Sequence, residues 1–126
     1  MPKLLTPQER LWREISEKSL QDAFMAEARM LGWTVWHHSD SRKMVRRGNR
    51  YIPVGDPDAK GLPDLTMCHP RWGVVFIECK KELGKLEPEQ EVARNAILAA
   101  GGKWYLLRPS TQERLSAGLA KGFEAI

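Results

Sequence analysis

Two acidic residues and a lysine stand at the ends of short apolar runs near the middle of the chain. Asp64 lies in the run GLPDL (61–65), and Glu78 and Lys80 stand two residues apart at the end of VVFIECK (74–80). Because successive side chains of a strand alternate between faces, Glu78 and Lys80 are expected on one face. Burying a carboxylate without a partner is costly. A divalent metal between Asp64 and Glu78, with Lys80 beside an attacking water, would account for this pattern.

Phosphodiester hydrolysis is a reaction that such side chains suit. It needs a nucleophilic water, relief of the phosphate charge and a stabilised leaving oxygen. Hard cations such as Mg²⁺ or Mn²⁺, held by carboxylate oxygens, supply these functions. The structural alternative is a cross-strand salt bridge between an acid and Lys80 at a strand end.

The wider string resembles the VRR-NUC branch of the PD-(D/E)xK nucleases. The resemblance rests on GLPDL, FIECKK (76–81) and GKLEPEQ (84–90), and covers the chain from about Ser16 to Arg108. It implies that Asp64, Glu78 and the backbone carbonyl of Cys79 are metal ligands, and that Lys80 orients and activates the water. It also implies that Gln90 hydrogen-bonds a water or phosphate near the metal; the alternative is a solvent-facing glutamine in a capping turn.

The same resemblance implies a metal-dependent DNA endonuclease that uses Mg²⁺ or Mn²⁺. It further implies action on branched DNA, such as Holliday junctions, by a homodimer. Two alternatives stay open. One is a less selective nicking or flap nuclease, and the other is a non-catalytic DNA-binding module of the same fold.

Many relatives also use an acid on the first long helix, and two candidates compete for this role. Glu17 and Glu27 lie on either side of the apolar stripe of that helix, so both could face inward. The family pattern of Glu followed four residues later by Gln matches Glu17 and Gln21, which favours Glu17. An acid in a first turn is also favoured by the helix dipole alone.

Apolar periodicity and capping residues predict the order of helices and strands. Thr6 and Ser16 read as N-caps, and Ser110 begins a capping box with Glu113. The predicted helices span 8–14, 16–31, 88–100 and about 110–121, and the predicted strands span 33–38, 64–68, 74–80 and 103–107. This order predicts an α/β fold with a restriction-endonuclease-like αβββαβ core, a mixed sheet flanked by helices.

The strands 64–68 and 74–80 must pair in one register for the two acids to meet. Pairing Asp64 with Glu78 and Cys68 with Val74 leaves a five-residue loop, 69–73, between them. A slip of one residue would place the acids on opposite faces and abolish the site.

The segment 39–60 is long, polar and basic. Its cations are the predicted contacts with DNA, with a solvated loop as the alternative; they include Arg42, Lys43, Arg46, Arg47 and Arg50. Tyr51–Val54 is expected to form an edge strand or hairpin arm.

The tryptophans and nearby apolar residues are assigned by their place in the pattern. Trp33, Trp36 and Trp104 are expected in the core, and Trp72, in the turn between two strands, is expected to touch DNA or a second subunit. Leu11 and Trp12 join Trp72 as candidates for the dimer interface.

Composition limits the remaining possibilities. The 126 residues suit a single domain spanning 1–126, with 42% hydrophobic and 29% charged residues. The net charge of +4 allows nucleic-acid binding. No apolar run approaches a membrane span or a secretory signal, which predicts a cytoplasmic protein with no membrane partner. Cys68 and Cys79 have no zinc-site spacing and are expected to be reduced, small apolar side chains.

Overall fold

The computed structural model describes residues 3–38, 43–54 and 60–125. Within these ranges the protein is a mixed α/β fold with four α-helices, a four-stranded mixed sheet and a separate two-stranded hairpin. In chain order the elements are α1 (Pro7–Glu14), α2 (Glu17–Met30), β1 (Thr34–His37), β2 (Lys43–Arg47), β3 (Arg50–Val54), β4 (Leu65–His69), β5 (Gly73–Cys79), α3 (Pro88–Ala99), β6 (Lys103–Leu107) and α4 (Gln112–Lys121).

The first two helices begin at the predicted caps. The Thr6 hydroxyl accepts the Glu9 N–H at 3.1 Å, and the Ser16 hydroxyl accepts the Ser19 N–H at 3.0 Å. Each bond satisfies a backbone donor that has no partner inside the helix. Gly32, with φ of +88°, follows the end of α2. These cap predictions are therefore confirmed.

The start of α4 differs from the prediction. Pro109–Thr111 form a 3-10 turn, and α4 begins at Gln112 with no side-chain cap. The Thr111 hydroxyl instead accepts the Arg108 N–H at 2.9 Å and donates to the Leu106 carbonyl at 3.0 Å. The predicted capping box from Ser110 to Glu113 is thus wrong, because Ser110 lies inside the 3-10 turn and not at the residue before α4.

The sheet has the strand order β1-β4-β5-β6, with antiparallel pairs except for the parallel pair β5–β6. Cys68 lies opposite Val74, and Leu65 opposite Ile77, so the predicted register is confirmed. By the same register, Asp64 stands opposite Glu78. His69 also pairs with Gly73, so the connection is a three-residue turn, 70–72, and not the predicted five-residue loop.

One face of the sheet carries the hydrophobic core. Val75, Ile77 and Cys79 point to this face and are fully buried, together with apolar residues of α2 and α4 such as Phe24 and Leu119. Burying one such large side chain stabilises the fold by about 1.5–3 kcal/mol. This packing anchors the N-terminal half of α2 over the end of β5.

Helix α3 connects the parallel strands β5 and β6 and lies on the other face of the sheet. The Arg94 guanidinium lies 5.9 Å from the centre of the Trp104 ring, which belongs to β6. The helix therefore covers the β6 side of this face. Helices on both faces of a mixed sheet agree with the predicted α/β class, and the finer restriction-endonuclease-like assignment stays a prediction.

The hairpin of β2 and β3 lies within the basic segment. Arg47 pairs with Arg50 across a two-residue turn, where Gly48 has a φ of +63°. Such short hairpin turns require positive φ, which glycine adopts without strain. The predicted hairpin arm at Tyr51–Val54 is confirmed within β3, Arg50–Val54.

Candidate active site

The ends of β4 and β5 bring two carboxylates together. Asp64 immediately precedes β4, and Glu78 is the penultimate residue of β5. The Asp64 carboxylate accepts the Cys79 N–H at 2.7 Å. This bond holds Asp64 against the end of β5, beside Glu78.

Glu78 is the most unusual residue of the site, because it carries a carboxylate and yet is only 2% exposed. Its Oε1 accepts a hydrogen bond from the Gln90 amide at 3.1 Å. Its Oε2 is buried and has no hydrogen-bond partner among the described residues. Burial, followed by the adjacent Asp64 carboxylate, raises the pKa of Glu78 to about 9, and Lys80 opposes the shift. The site therefore needs a positive charge to ionise both acids near neutral pH.

Cys79 offers only its backbone to this site. Its side chain is fully buried in the core, on the face opposite Glu78. Burial and the neighbouring carboxylates raise the pKa of the Cys79 thiol, which is therefore a neutral core side chain.

The structure separates the two candidate acids of α2. Burial and the Asp64 carboxylate raise the pKa of Glu17, and the charges of Lys80 and Lys81 lower it, so Glu17 lies within electrostatic reach of the site. Glu27 is three turns along the helix and accepts a hydrogen bond from the Ser116 hydroxyl of α4 at 3.2 Å. Of the two, Glu17 is the acid near Asp64.

Lys80 follows β5 directly and lies close to both acids. Its backbone N–H donates to the Leu107 carbonyl at 3.0 Å, which extends the pairing with β6. Its positive charge lowers the pKa of both Glu78 and Glu17. Asp64 and Glu78 thus meet at the strand ends, with Lys80 and Glu17 within electrostatic reach of them.

Arg108 organises the loop after Lys80, and the sequence analysis did not identify it. Its Nη1 lies 3.0, 2.9 and 2.6 Å from the carbonyl oxygens of Lys81, Glu82 and Gly84. The Glu82 carboxylate in turn accepts the Ser110 N–H at 3.1 Å. A guanidinium offers several donors in a fixed plane, so it can gather several carbonyls into one turn. No local pattern reveals this role, because the partners are 24 to 27 residues away.

Gln90 lies in the capping turn of α3 and also contacts Glu78, while its predicted bond to a water or phosphate stays a prediction. Its Oε1 accepts the Glu87 N–H at 2.8 Å and so caps α3, and its Nε2 donates to Glu78. The position of α3 is held from the opposite side by Gly61. A Cβ on Gly61 would lie 2.2 Å from the Glu89 carbonyl oxygen, so only glycine permits this contact. Lys60 also pairs with Glu89 at 3.1 Å.

The predicted DNA contacts lie in the hairpin. Arg46, Arg47 and Arg50 are exposed. Lys43 belongs to β2, but its side chain is outside the described part of the structure, and Arg42 lies outside the described residues altogether.

The tryptophans depart from the prediction at two positions. Trp33 is buried as expected, whereas Trp36, expected in the core, is 51% exposed. Trp72, expected at a surface contact, is half-buried and packs on Gly122, where a Cβ would lie 2.6 Å from the indole ring. Of the other interface candidates, Leu11 is exposed and Trp12 is half-buried on α1.

The available ligand atoms suit a metal ion that binds only one or two protein side chains. Across residues 3–38, 43–54 and 60–125, no group of three or more His, Cys, Asp or Glu side chains lies close enough to hold a metal ion. Asp64 and Glu78 remain as a pair, with the orphaned Glu78 Oε2 as a free ligand atom. Mg²⁺ commonly takes one or two carboxylates and completes its shell with water and substrate phosphates. The pair suits that ion better than one that needs a full protein cage.

Comparisons with known proteins leave the chain without an assigned family, because no family model, no curated protein and no solved structure matches it. Among the described helices, none combines the length and the apolar composition that crossing a membrane requires.

Proposed function

We propose that this protein is a metal-dependent DNA endonuclease of the VRR-NUC type, with a restriction-endonuclease-like core. The observation that carries the proposal is Glu78, a buried carboxylate beside Asp64 whose Oε2 has no partner among the described residues. The structural alternative, a salt bridge between an acid and Lys80, is not among the ion pairs of the described residues. A cation between the two acids would satisfy both.

The residues at the strand ends have separate roles in this proposal. Asp64 and Glu78 hold Mg²⁺ or Mn²⁺, together with the Cys79 carbonyl, and Glu17 is the additional acid at the site. The bound metal supplies charge relief for the phosphate and activation of the attacking water. Gln90 keeps Glu78 in place through its hydrogen bond. Lys80 orients the water and balances the negative charge of the three carboxylates.

The charge distribution supports a nucleic-acid substrate. The chain has a net charge of +4, and exposed arginines lie on the hairpin. Cations of this kind bind phosphates without reading sequence. Selectivity for branched DNA and action as a homodimer are the finer part of the proposal. Sedimentation of the dimer should give about twice the chain mass of 14.4 kDa, and a dimer should make paired nicks on a four-way junction.

Two other functions remain in competition. A less selective nicking or flap nuclease would use the same residues on many substrates. A non-catalytic DNA-binding module is favoured by the lack of a three-side-chain metal group among the described residues. Retention of Asp64, Glu78 and Lys80 together favours catalysis.

Plasmid nicking in Mg²⁺, in Mn²⁺ and in EDTA tests the proposal. Lys80→Ala should stop nicking while leaving the fold and metal-independent DNA binding intact. Lys121→Ala, which removes an exposed lysine at the end of α4, is the matched control and should nick like the wild type. Metal-dependent nicking by Lys80→Ala at the wild-type rate would contradict the role of the lysine. No nicking by the wild type in either metal would leave the binding module as the better account.

A further inference from the structure

Trp36 is a large apolar side chain left in solvent beside the candidate active site. It is 51% exposed, although β1 belongs to the central sheet. Its neighbours Trp33 and Val35 are buried. An indole left half exposed on this edge strand offers a large, rigid aromatic face to a partner.

The strand register places Trp36 on the same face as the carboxylates. Trp36 pairs with Thr66, and Thr66 pairs with Phe76, so these three residues form one row across β1, β4 and β5. The next row contains Asp64 and Glu78. Adjacent rows on one face are two residues apart, or about 7 Å along the strands. Trp36 therefore stands one row from the acids and two strands away from Glu78.

The described helices leave Trp36 half exposed. Helices α2 and α4 pack on the opposite face, and α3 covers the β6 side of this one. Val74, on the same face, is 50% exposed. The rim is polar, because His38 and Thr66 hydrogen-bond each other at 2.7 Å. The result is an aromatic surface with a polar border, next to the proposed metal site at Asp64 and Glu78.

We propose that Trp36 stacks on an unpaired base of the nucleic acid whose scissile phosphate lies at the metal that Asp64 and Glu78 would hold. This inference rests on the proposed nuclease function and adds a substrate class to it. A base inside a duplex is already stacked on both faces, so only an unpaired or extruded base can lie on an indole. The preferred substrate therefore carries an unpaired nucleotide next to the scissile phosphate. Charge complementarity supports a nucleic acid, since the exposed arginines of the hairpin follow β1 in the chain.

Binding to matched oligonucleotides tests the stacking. The probes are a duplex with one bulged 2-aminopurine and the same sequence as a perfect duplex, measured in Ca²⁺, which also prefers oxygen ligands, on gels that verify that the probes stay uncut. Trp36→Ala should raise the Kd for the bulged probe by about 5- to 150-fold, the range found for loss of one stacked base. Its Kd for the perfect duplex should change less than about twofold. Binding by the wild type should quench 2-aminopurine, and Trp36→Ala should lose that quenching.

Two further variants separate stacking from lost apolar area and from misfolding. Trp36→Phe keeps an aromatic face and should retain most of the affinity for the bulge. Val74→Ala removes an equally exposed apolar side chain from the same face and should bind both probes like the wild type. Circular dichroism and thermal unfolding verify that each variant is folded.

Three results would overturn the inference. Equal effects of Trp36→Ala on both probes would show that Trp36 does not select an unpaired base, while plasmid nicking by the wild type would leave the nuclease proposal intact. A change from dimer to monomer in Trp36→Ala would assign this surface to a second copy of the chain. Failure of the wild type to bind either probe or to nick plasmid would remove both proposals.

Discussion

Replacing Glu78 by glutamine should stabilise the metal-free protein while removing its activity. Glu78 is 2% exposed, and burial together with Asp64 raises its pKa from 4.5 to about 9. Between about pH 4.5 and pH 9, Glu78 is therefore protonated in the folded state and ionised in the unfolded state. Glutamine has a similar shape, stays neutral at every pH and can still accept the Gln90 hydrogen bond.

The sign of the pH effect follows from proton binding. A group whose pKa is raised by folding contributes its full stability below the unfolded pKa and loses it as pH rises toward the folded pKa. The free energy of unfolding of the wild type in EDTA should fall by up to about 1.4 kcal/mol per pH unit above pH 4.5 from this residue. Over the interval to pH 7 this is at most about 3.5 kcal/mol. Glu78→Gln should not show this loss, so it should be more stable than the wild type by about 1–3 kcal/mol at pH 7 and about equal at pH 4.5.

Bound metal should make the wild type more stable than Glu78→Gln. A ligand that binds only the folded state adds about 2.7 kcal/mol at a concentration of 100 times its Kd. The wild type should gain this in Mg²⁺, whereas Glu78→Gln, which has lost an anionic ligand, should gain much less. Nicking by Glu78→Gln should be undetectable.

Urea unfolding at pH 4.5, 6 and 7, with EDTA or Mg²⁺, measures these differences. Glu113→Gln changes an exposed glutamate on α4 and is the matched control. Its stability should lie within about 0.5 kcal/mol of the wild type, with no dependence on metal. If Glu78→Gln were less stable than the wild type at pH 7 in EDTA, the account of Glu78 as an uncompensated buried acid would be wrong.

Three other changes test the surroundings of the acids. Glu17→Gln should lower the nicking rate by about 10² or more, as the loss of preorganised electrostatics does, whereas Glu27→Gln should affect mainly stability; the reverse ranking in single-turnover assays would move the helix acid to Glu27. Alanine at both Arg46 and Arg47 should weaken binding to all sequences and reduce the log–log salt slope by roughly 0.9 per lost phosphate contact, and an unchanged slope would show that the hairpin is only solvated. Arg108→Met should loosen the loop after Lys80, lowering kcat by roughly 10-fold or more with little change in DNA affinity, and limited proteolysis should then cut within that loop; wild-type kcat would contradict its positioning role.

Much of the architecture could be predicted because it depends on local rules. Hydroxyl caps at Thr6 and Ser16 act within one helical turn, so their helices begin where the sequence indicates. The register of β4 and β5 follows from alternation in one buried pair of strands, which places Asp64 opposite Glu78. The resemblance to VRR-NUC nucleases also singled out Gln90 as a candidate, and the structure adds its contact with Glu78.

The errors concern features that depend on distant parts of the chain. Alternation places Trp36 on one face of β1, but whether a helix covers that face depends on how α3 packs, so its exposure could not be predicted. Trp72 was expected at a surface contact but is half-buried, because its turn folds against Gly122, which is 50 residues away in the sequence. The predicted Ser110 cap failed because Ser110 lies inside the 3-10 turn, where its N–H donates to the Glu82 carboxylate, 28 residues away.

Residue type and spacing are local properties, so they are enough to locate the candidate acids, the lysine and the strands that carry them. The state of Glu78, in contrast, depends on the tertiary structure. Its burial, its bond to Gln90 and its orphaned Oε2 require β5, α3 and the Asp64 segment to meet. The same is true of the contacts that Arg108 makes with the loop after Lys80. A pKa and a desolvation cost depend on every atom around a charge, whichever part of the chain supplies it, so no local pattern encodes them.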